Sequence, residues 1–445
     1  MSDRQTIFAL SSAPGRSAIA VFRISGPAAG LALDKMAPPR GAPRTAALRI
    51  IRHPATREAL DHGLALWFPG PKTETGEDMA EFHVHGGRAV TQSMLRALGA
   101  IQGLRLAEPG EFARRAFESG KIDLTQAEAI ADLVDAETQA QARQAMRQAG
   151  GALARLYEGW RGRLIEAQAL TEAAIDFSDE GDVGESAWAK AREIVAALAP
   201  EIARHLDDGR RGEILRDGFH VVIAGPPNVG KSSLLNAMAR RDAAIVSEEA
   251  GTTRDVIEVK LDLGGLPVVL NDTAGIRETQ GKVEQEGIRR TLARARGADL
   301  VLWLMDATDP VADLPADLAD PGIRVLRVLN KMDLAAPGRE HWARDWLRLS
   351  ARTGEGIGEL SHAIEAQARE RIGSAEAPVI TQARHRQQLE LCRDALEAYL
   401  GGAGNELELR AEDLRRAATA LGRITGRVDV EDVLDQIFGR FCIGK

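Results

Sequence analysis

Cysteine is scarce: the 445-residue chain has two, Cys392 and Cys442. Two thiols cannot build a disulfide framework, and they fit a reducing compartment. Long apolar runs are also missing. The strongest, LVLWLM at 300–305, has strand length and falls far short of the ~18 residues a membrane-spanning helix needs. The N-terminal MSDRQTIFALSSAPGR holds one short apolar patch broken by Pro14-Gly15-Arg16, so no secretory signal is expected. Nor is there a basic excess. The net charge of −8 excludes a generally basic nucleic-acid coat and leaves any RNA contact to a local patch or a partner. With 44% hydrophobic and 27% charged residues, what remains is a soluble globular chain of roughly three ordinary domains, expected in the cytoplasm.

What is present falls into blocks. In residues 1–120, IAVFRIS, LALWF and EFHVH read as strands between Gly/Pro-rich stretches such as APPRGAPR, an α/β or α+β domain. From 121 to 215 the pattern turns helical. Thr125-Gln-Ala-Glu128 reads as a capping box, and Leu153, Leu156, Trp160 and Leu164 form a stripe, interrupted by the acidic DFSDEGDVGES at 176–186. Residues 216–372 alternate strands (FHVVIAG, LPVVLND, DLVLWLMDA, IRVLRVLN, WLRLS) with helices, the pattern of a doubly wound, mostly parallel sheet. Helical spacing resumes over 373–445, through Leu389, Leu396 and Leu400, then Leu407, Leu414 and Leu421, then Val433, Ile437 and Phe438. The expected fold is therefore multidomain α/β, with an α/β domain inserted into a helical one.

GPPNVGKS (225–232) follows a strand and opens a helical run, the context a P-loop requires. Its backbone N–H groups, from Asn228 through Val229 and Gly230 to Ser233, can curl around phosphates. Lys231 reaches the β- and γ-phosphates, and Ser232 offers a hydroxyl to Mg²⁺. DTAG (272–275) ends another strand: Asp272 can hold the Mg²⁺ through water, and beyond Thr273 and Ala274 the Gly275 N–H can face the γ-phosphate. In the intervening GTT, Thr253 is a second hydroxyl for Mg²⁺. NKMD (330–333) supplies base recognition. The Asp333 carboxylate can accept both the ring N–H and the exocyclic amine of guanine, an arrangement adenine does not offer. Asn330 can contact the other base edge, Lys331 can cover the ring, and Ser350, Ala351 and Arg352 can bring a backbone N–H to the guanine carbonyl. This order of motifs at strand ends reads as a GTPase. The residue after DxxG is Ile276, where many small GTPases carry a water-orienting Gln. The nearby Glu284 is a carboxylate that could take that task, or a solvated helix-start glutamate.

With these residues laid out, the chain resembles the MnmE (TrmE) family of tRNA-modification GTPases over essentially its whole length. The resemblance rests on TIFALSSAPGRSAIAVFRISG, TGEDMAEFHVHGG (75–87), PGEFARRAFESGKIDLTQAEAIADLVDAET (109–138), NVGKSSLLNAM, AIVSEEAGTTRD and the terminal FCIGK. It implies a folate-binding, dimerising N-terminal domain, a helical domain and a GTPase domain inserted into the latter. It also implies a homodimer that joins the FAD-containing MnmG (GidA) partner in a heterotetramer. Together they would install a carboxymethylaminomethyl or aminomethyl group on carbon 5 of the wobble uridine of certain tRNAs. The donor would be a one-carbon tetrahydrofolate, 5-formyl or 5,10-methylene.

Carried over residue by residue, Asn228 matches the family's potassium-ligating asparagine, and the Ser247, Glu249 and Thr252 carbonyls would complete that K⁺ site. A monovalent cation there can neutralise developing charge as an arginine finger would. Glu284 matches the water-activating glutamate, and Arg254 and Asp255 lie in the same loop. Arg23, Glu81 and Lys121 match folate contacts, with Cys442 either a candidate reactive thiol or a packed small residue and Lys445 a further contact. HVHGG stands where a Gln-x-His form is common, and Ser247 replaces a threonine.

Other features read more plainly. The terminal Cys442-Ile443-Gly444-Lys445 formally fits a prenylation box, but Lys445 is not a usual last residue, and no lipid anchor is expected. His83 and His85 share a strand face without a third ligand nearby in sequence, so no metal is expected there. DFSDEGDVGES lacks calcium-loop spacing and reads as a solvated hinge. Arg415, Arg416, Arg423 and Arg427 read either as an RNA-facing patch or as a solvated basic face. Cys392 falls on a leucine stripe and reads as core. Rival functions are an Era/Der-like ribosome-assembly switch, a glycine-cleavage-type aminomethyltransferase and a membrane-associated GTPase.

Overall fold

The computed structural model describes residues 5–177, 181–241, 258–272, 297–309, 314–315, 318–335, 345–373, 378–402, 406–428 and 431–444. The chain divides into two compact units, one of residues 1–131, 149–158 and 421–445, the other of residues 132–148 and 159–420. The helical residues are thus shared between the units.

The first unit is built on a six-stranded sheet. Its strands are β1 (Thr6–Leu10), β2 (Ile19–Ser25), β3 (Ala47–Arg52), β4 (Ala59–Phe68), β5 (Met79–His85) and β6 (Leu104–Leu106), in the order β3-β4-β5-β2-β1-β6. Strand side chains alternate between faces. In β2 that alternation buries Ala20, Phe22 and Ile24, and in β5 it buries Ala80, Phe82 and Val84. These meet Leu33 of α1 (Ala29–Met36) and Met94 and Leu98 of α2 (Arg88–Gly99) in one core. The period of two therefore sends Arg23, Glu81, His83 and His85 to the opposite face, away from α1 and α2. A second cluster, with Ile7, Ala9 and Met79 around Phe112 of α3 (Glu111–Glu118), lies there.

Helix α4 (Leu124–Asp135) is capped two residues earlier than its sequence suggests. Asp123 Oδ1 accepts the Gln126 N–H at 3.0 Å, and Gln126 Oε1 accepts the Asp123 N–H at 3.2 Å. Aspartate is as good a cap as threonine. Thr125 is already inside the helix, where its hydroxyl supports the cap by donating to Asp123 Oδ1 at 2.6 Å.

In the second unit, α5 (Gln139–Ala149), most of α6 (Ala152–Asp176), α7 (Gly181–Leu206), the helix Ala383–Gly401 and most of the helix Leu407–Thr425 carry the helical part. Residues 181–186 of the acidic stretch are helical, so the break between α6 and α7 is shorter than the eleven-residue hinge its composition suggests. Trp188 packs on Tyr399 at 5.2 Å, and the Tyr399 hydroxyl meets that of Thr171 at 3.1 Å. Cys392 is fully buried there, and burial pushes its thiol up to about 12. Arg386 donates to Glu213 at 2.7 Å and to Asp208 at 2.6 Å, anchoring α8 (Arg211–Asp217). No helix among the described residues is long and apolar enough to cross a membrane.

After α8 comes the second sheet. It contains β7 (Phe219–Ala224), β8 (Glu258–Leu263), β9 (Leu266–Asp272), β10 (Leu300–Asp306), β11 (Val325–Asn330) and β12 (Leu347–Arg348), in the order β12-β11-β10-β7-β9-β8. All pairs are parallel except β8 with β9. The run LVLWLM of β10 is buried at every position, as a central parallel strand covered on both faces must be. WLRLS yields only the two-residue β12, because Leu349 and Ser350 already turn toward the loop beyond it.

Candidate active site

In an open parallel sheet, ligands bind beyond the carboxyl ends of the strands, where the order reverses. β7 pairs with β9 on one side and β10 on the other, so the loop between β7 and α9 (Lys231–Arg241) sits at that reversal. Asn228 is left-handed (φ 61°) and Gly230 has φ 96°, which turns the loop back over the helix N-terminus, a natural anion site. A Cβ on Gly230 would stand 2.4 Å from Asn330 Nδ2, so only glycine fits. Lys231 Nζ donates to the Gly225 and Pro226 carbonyls at 3.0 and 2.9 Å, holding the ammonium over the loop.

β11 brings the base-side residues to the same edge. Asn330, 2% exposed, donates from Nδ2 to the Val229 carbonyl at 2.8 Å. Its Oδ1 accepts the Ala351 N–H at 3.0 Å. Both ends of the amide are engaged by backbone, so Asn330 braces the phosphate loop against the 350–352 loop rather than reaching for a base edge. Asp333 Oδ1 accepts from the Ser350 hydroxyl at 2.6 Å, and Oδ2 lies 2.9 Å from the Arg352 guanidinium. The Ser350 hydrogen bond, with Arg352 nearby, holds this carboxyl below its ordinary range. Lys331, left-handed at φ 63°, sets Nζ 2.7 Å from Asp306 Oδ2. Asp306 was missed in the sequence; its signal is the aspartate closing a wholly apolar strand. Burial alone would raise its pKa, but the hydrogen bonds from Lys331 and Thr308 bring it below the usual value.

Asp272 ends β9 in register with Ile223 of β7, so its backbone closes the strand beside the phosphate-loop strand. Ser247, Glu249, Thr252, Thr253, Arg254, Asp255, Thr273, Ala274, Gly275, Ile276 and Glu284 lie outside the described residues, as does Lys445.

The first unit gathers a separate polar group. β2 and β5 pair Arg23 with Glu81. Arg23 Nε is 3.3 Å from Glu81 Oε1 and its Nη1 2.8 Å from Glu74, while His83 Nε2 is 3.0 Å from Glu81 Oε2. The guanidinium stands 5.9 Å from the Phe112 ring centre. Lys121 is exposed and lies over the loop that carries Glu74, its Cε 3.3 Å from where a Gly76 Cβ would stand. Sequence reasoning missed Glu74 and Phe112, since neither belongs to a local pattern. His85 pairs instead with Asp61 at 2.9 Å, so the two histidines serve different carboxylates.

The chain's last residues join this unit. Ile443 forms a β-bridge with Pro109, and the Ser11 hydroxyl donates to the Gly444 carbonyl at 3.1 Å. At φ 102°, Gly444 brings its backbone so close that a Cβ would meet the Leu10 carbonyl oxygen at 2.5 Å. Cys442 is exposed.

Of the four arginines read as a basic patch or a solvated face, three have acidic partners nearby, which favours matched charge. Arg415 is 2.5 Å from Glu412, Arg416 3.6 Å from Asp413 and Arg427 3.3 Å from Glu158.

Sheet order, phosphate loop and base-side strand ends define a P-loop GTPase within a multidomain α/β protein. The family model for the MnmE helical domain matches residues 124–442, a span that includes the whole P-loop sheet, and that for the GTP-binding protein TrmE N-terminus matches residues 6–121. The tRNA modification GTPase MnmE of Parvibaculum lavamentivorans is 57% identical, covering 99% of this chain and 100% of that one. The protein of the same name from Rhodospirillum rubrum is 52% identical over 99% of each chain. Among solved structures, the FeoB G-domain of Methanococcus jannaschii matches 34% of this chain at 26% identity, with a TM-score of only 0.27. The chain belongs to the MnmE (TrmE) family.

Proposed function

We propose that this protein hydrolyses GTP to drive modification of carbon 5 of the wobble uridine in certain tRNAs. It would act in the cytoplasm as a homodimer with an FAD-containing MnmG-type partner, in a heterotetramer, taking a one-carbon unit from tetrahydrofolate. One observation carries the GTPase half: Asn330 ties the phosphate loop and the base-side loop into one frame. A purine nucleotide spanning that frame would put its phosphates at the α9 N-terminus and its base at Asp333. The Asp333 carboxylate would accept the guanine ring N–H and amine, exchanging Arg352 for the base. Lys231, released from the loop carbonyls, would bind the outer phosphates.

The donor set fits the ions such a site takes. Ser232, Thr253 and Asp272 would hold Mg²⁺, the last through water; Asn228 and the Ser247, Glu249 and Thr252 carbonyls would hold K⁺. Both ions offset charge that develops on the phosphates. Glu284, with Arg254 and Asp255 in reach of the same loop, would orient the attacking water. Arg23, Glu81 and Lys121 suit a folate: a carboxylate for pterin N–H groups and cations for the glutamate tail, with Lys445 and Cys442 from the terminal segment. Expected domain limits are 1–120, 121–215, 216–372 and 373–445, the third inserted between the two helical parts. The ribosome-assembly reading does not account for the match over residues 6–121.

Two measurements test this reading. GTP hydrolysis should be markedly faster in potassium than in sodium chloride, and equal rates would remove the potassium site. Nucleoside digests of tRNA from a deletion strain should lack the modified wobble uridine; an unchanged digest would sink the tRNA assignment.

A further inference from the structure

The chain is acidic overall, with a net charge of −8, yet residues 35–57 hold six cations and no carboxylate. Lys35, Arg40, Arg44, Arg49, Arg52 and Arg57 run from the end of α1 through the following loop and along β3, the edge strand of the first sheet. Among the described residues only Arg40 of the six forms an ion pair, with Asp34, while its guanidinium covers the Trp67 ring at 4.7 Å. The other arginines are held by backbone carbonyls. Arg49 donates from Nε to Pro39 at 3.3 Å, Arg52 to Arg57 at 3.2 Å, Arg57 to Lys35 in the last turn of α1, and Arg44 to Lys72. A carbonyl fixes a guanidinium without neutralising it, and these bonds use only part of each five-donor fork. Of the two acids that flank the segment, Asp34 is taken by Arg40 and Glu58 is a single opposing charge, so the cations stay in excess.

Two features choose the occupant. The cations are spread along a helix end and a strand rather than converging on a point, which suits an extended polyanion and not one small anion. Five of the six are arginines, whose planar forks match phosphate oxygens. In an acidic chain such a local excess is the electrostatic footprint of nucleic-acid binding, whereas Arg415, Arg416 and Arg427 already have acidic partners. We propose that this surface docks the phosphate backbone of tRNA, an inference that rests on the tRNA reading above. Lys35, Arg49, Arg52 and Arg57 contact phosphates, which positions the RNA without reading its sequence.

Filter binding of unmodified tRNA to the full-length protein, over a series of potassium chloride concentrations, tests this. Lys35→Gln with Arg57→Gln should weaken binding about tenfold and lower the slope of log affinity against log salt by about 1.5. Arg57→Lys keeps the charge and should bind within about threefold of wild type. Circular dichroism checks folding. Lys35 is exposed, so Lys35→Gln alone, with a slope lower by about one, decides if the double variant misfolds. A folded double variant with wild-type affinity and slope overturns the proposal, as does wild-type protein that retains no tRNA. So does charge-dependent binding to phosphatidylserine vesicles that tRNA fails to displace, which would make this a membrane contact. None of these outcomes decides the tRNA reading itself, which stands or falls on the deletion-strain digest.

Discussion

At the scale of single residues, the nucleotide edge depends on two side chains with different tasks. Asn330 is a brace. Replacing it by alanine strands the Val229 carbonyl and the Ala351 N–H, at a cost of about 1–3 kcal/mol in a site that excludes water. Urea unfolding of Asn330→Ala should show that loss, and nucleotide affinity should fall with it. Asp333 is the proposed reader. Asp333→Asn turns an acceptor into a donor facing guanine, whereas xanthine carries an oxygen at the position of the guanine amine. The variant should bind GTP about 100-fold more weakly or worse and gain affinity for xanthosine triphosphate; fluorescent-nucleotide titration reads both. An unchanged preference for GTP would remove Asp333 from base recognition. Motif spacing in the sequence already pointed to both residues. It could not reveal the bracing role of Asn330, because Val229 and Ala351 lie 101 and 21 positions away.

At the scale of elements, helix ends and buried ion pairs decide local stability. The α4 cap is Asp123 with Gln126, so Asp123→Ala should cost about 1 kcal/mol in thermal unfolding, while Asp123→Asn should cost little. In α3, Glu111 accepts from Arg105 at 2.6 and 2.7 Å and from Arg115 at 2.8 Å. Burial alone would raise its pKa, but these bonds and the Glu108 N–H bring it down to about 2. A depressed carboxylate stabilises the fold above its unfolded-state pKa, and that stability is lost as pH falls toward 2. Acid titrations followed by circular dichroism should show the wild type losing stability over that window. Glu111→Gln should be weaker at neutral pH and flatter below it. The parallel strands of the second sheet were legible from their apolar runs, whereas β8, the antiparallel edge strand with alternating charges, was not. In the first sheet β1, β3 and β6 were not, β1 and β6 being short and β3 half-exposed.

At the scale of the whole molecule, the two ends of the sequence meet in one unit: Ile443 bridges Pro109 and Gly444 lies on Leu10 and Ser11. This places the exposed Cys442 in the unit built on the sheet that carries Arg23 and Glu81. A Cys442→Ser variant is therefore expected to hydrolyse GTP at the wild-type rate while losing wobble-uridine modification, assayed by nucleoside digest. Full modification would remove Cys442 from the chemistry. Membership of one family over the full chain fits this arrangement, since a GTPase domain alone would need neither the terminal segment nor the first sheet.

By itself the sequence determined what depends on short spacing: the phosphate loop, the aspartate proposed to read guanine, the alternation that puts Arg23 and Glu81 on the sheet face opposite Phe22 and Phe82, and the buried leucine stripes. These follow from backbone periods of two and 3.6 and from motifs a few residues long. Tertiary structure alone decided what depends on distant contacts. Asn330 became a brace, Glu74 a partner of Arg23, and Ile443 a bridge to Pro109. Hydrogen bonds reach only about 3 Å, and only the folded chain brings groups hundreds of positions apart within that distance.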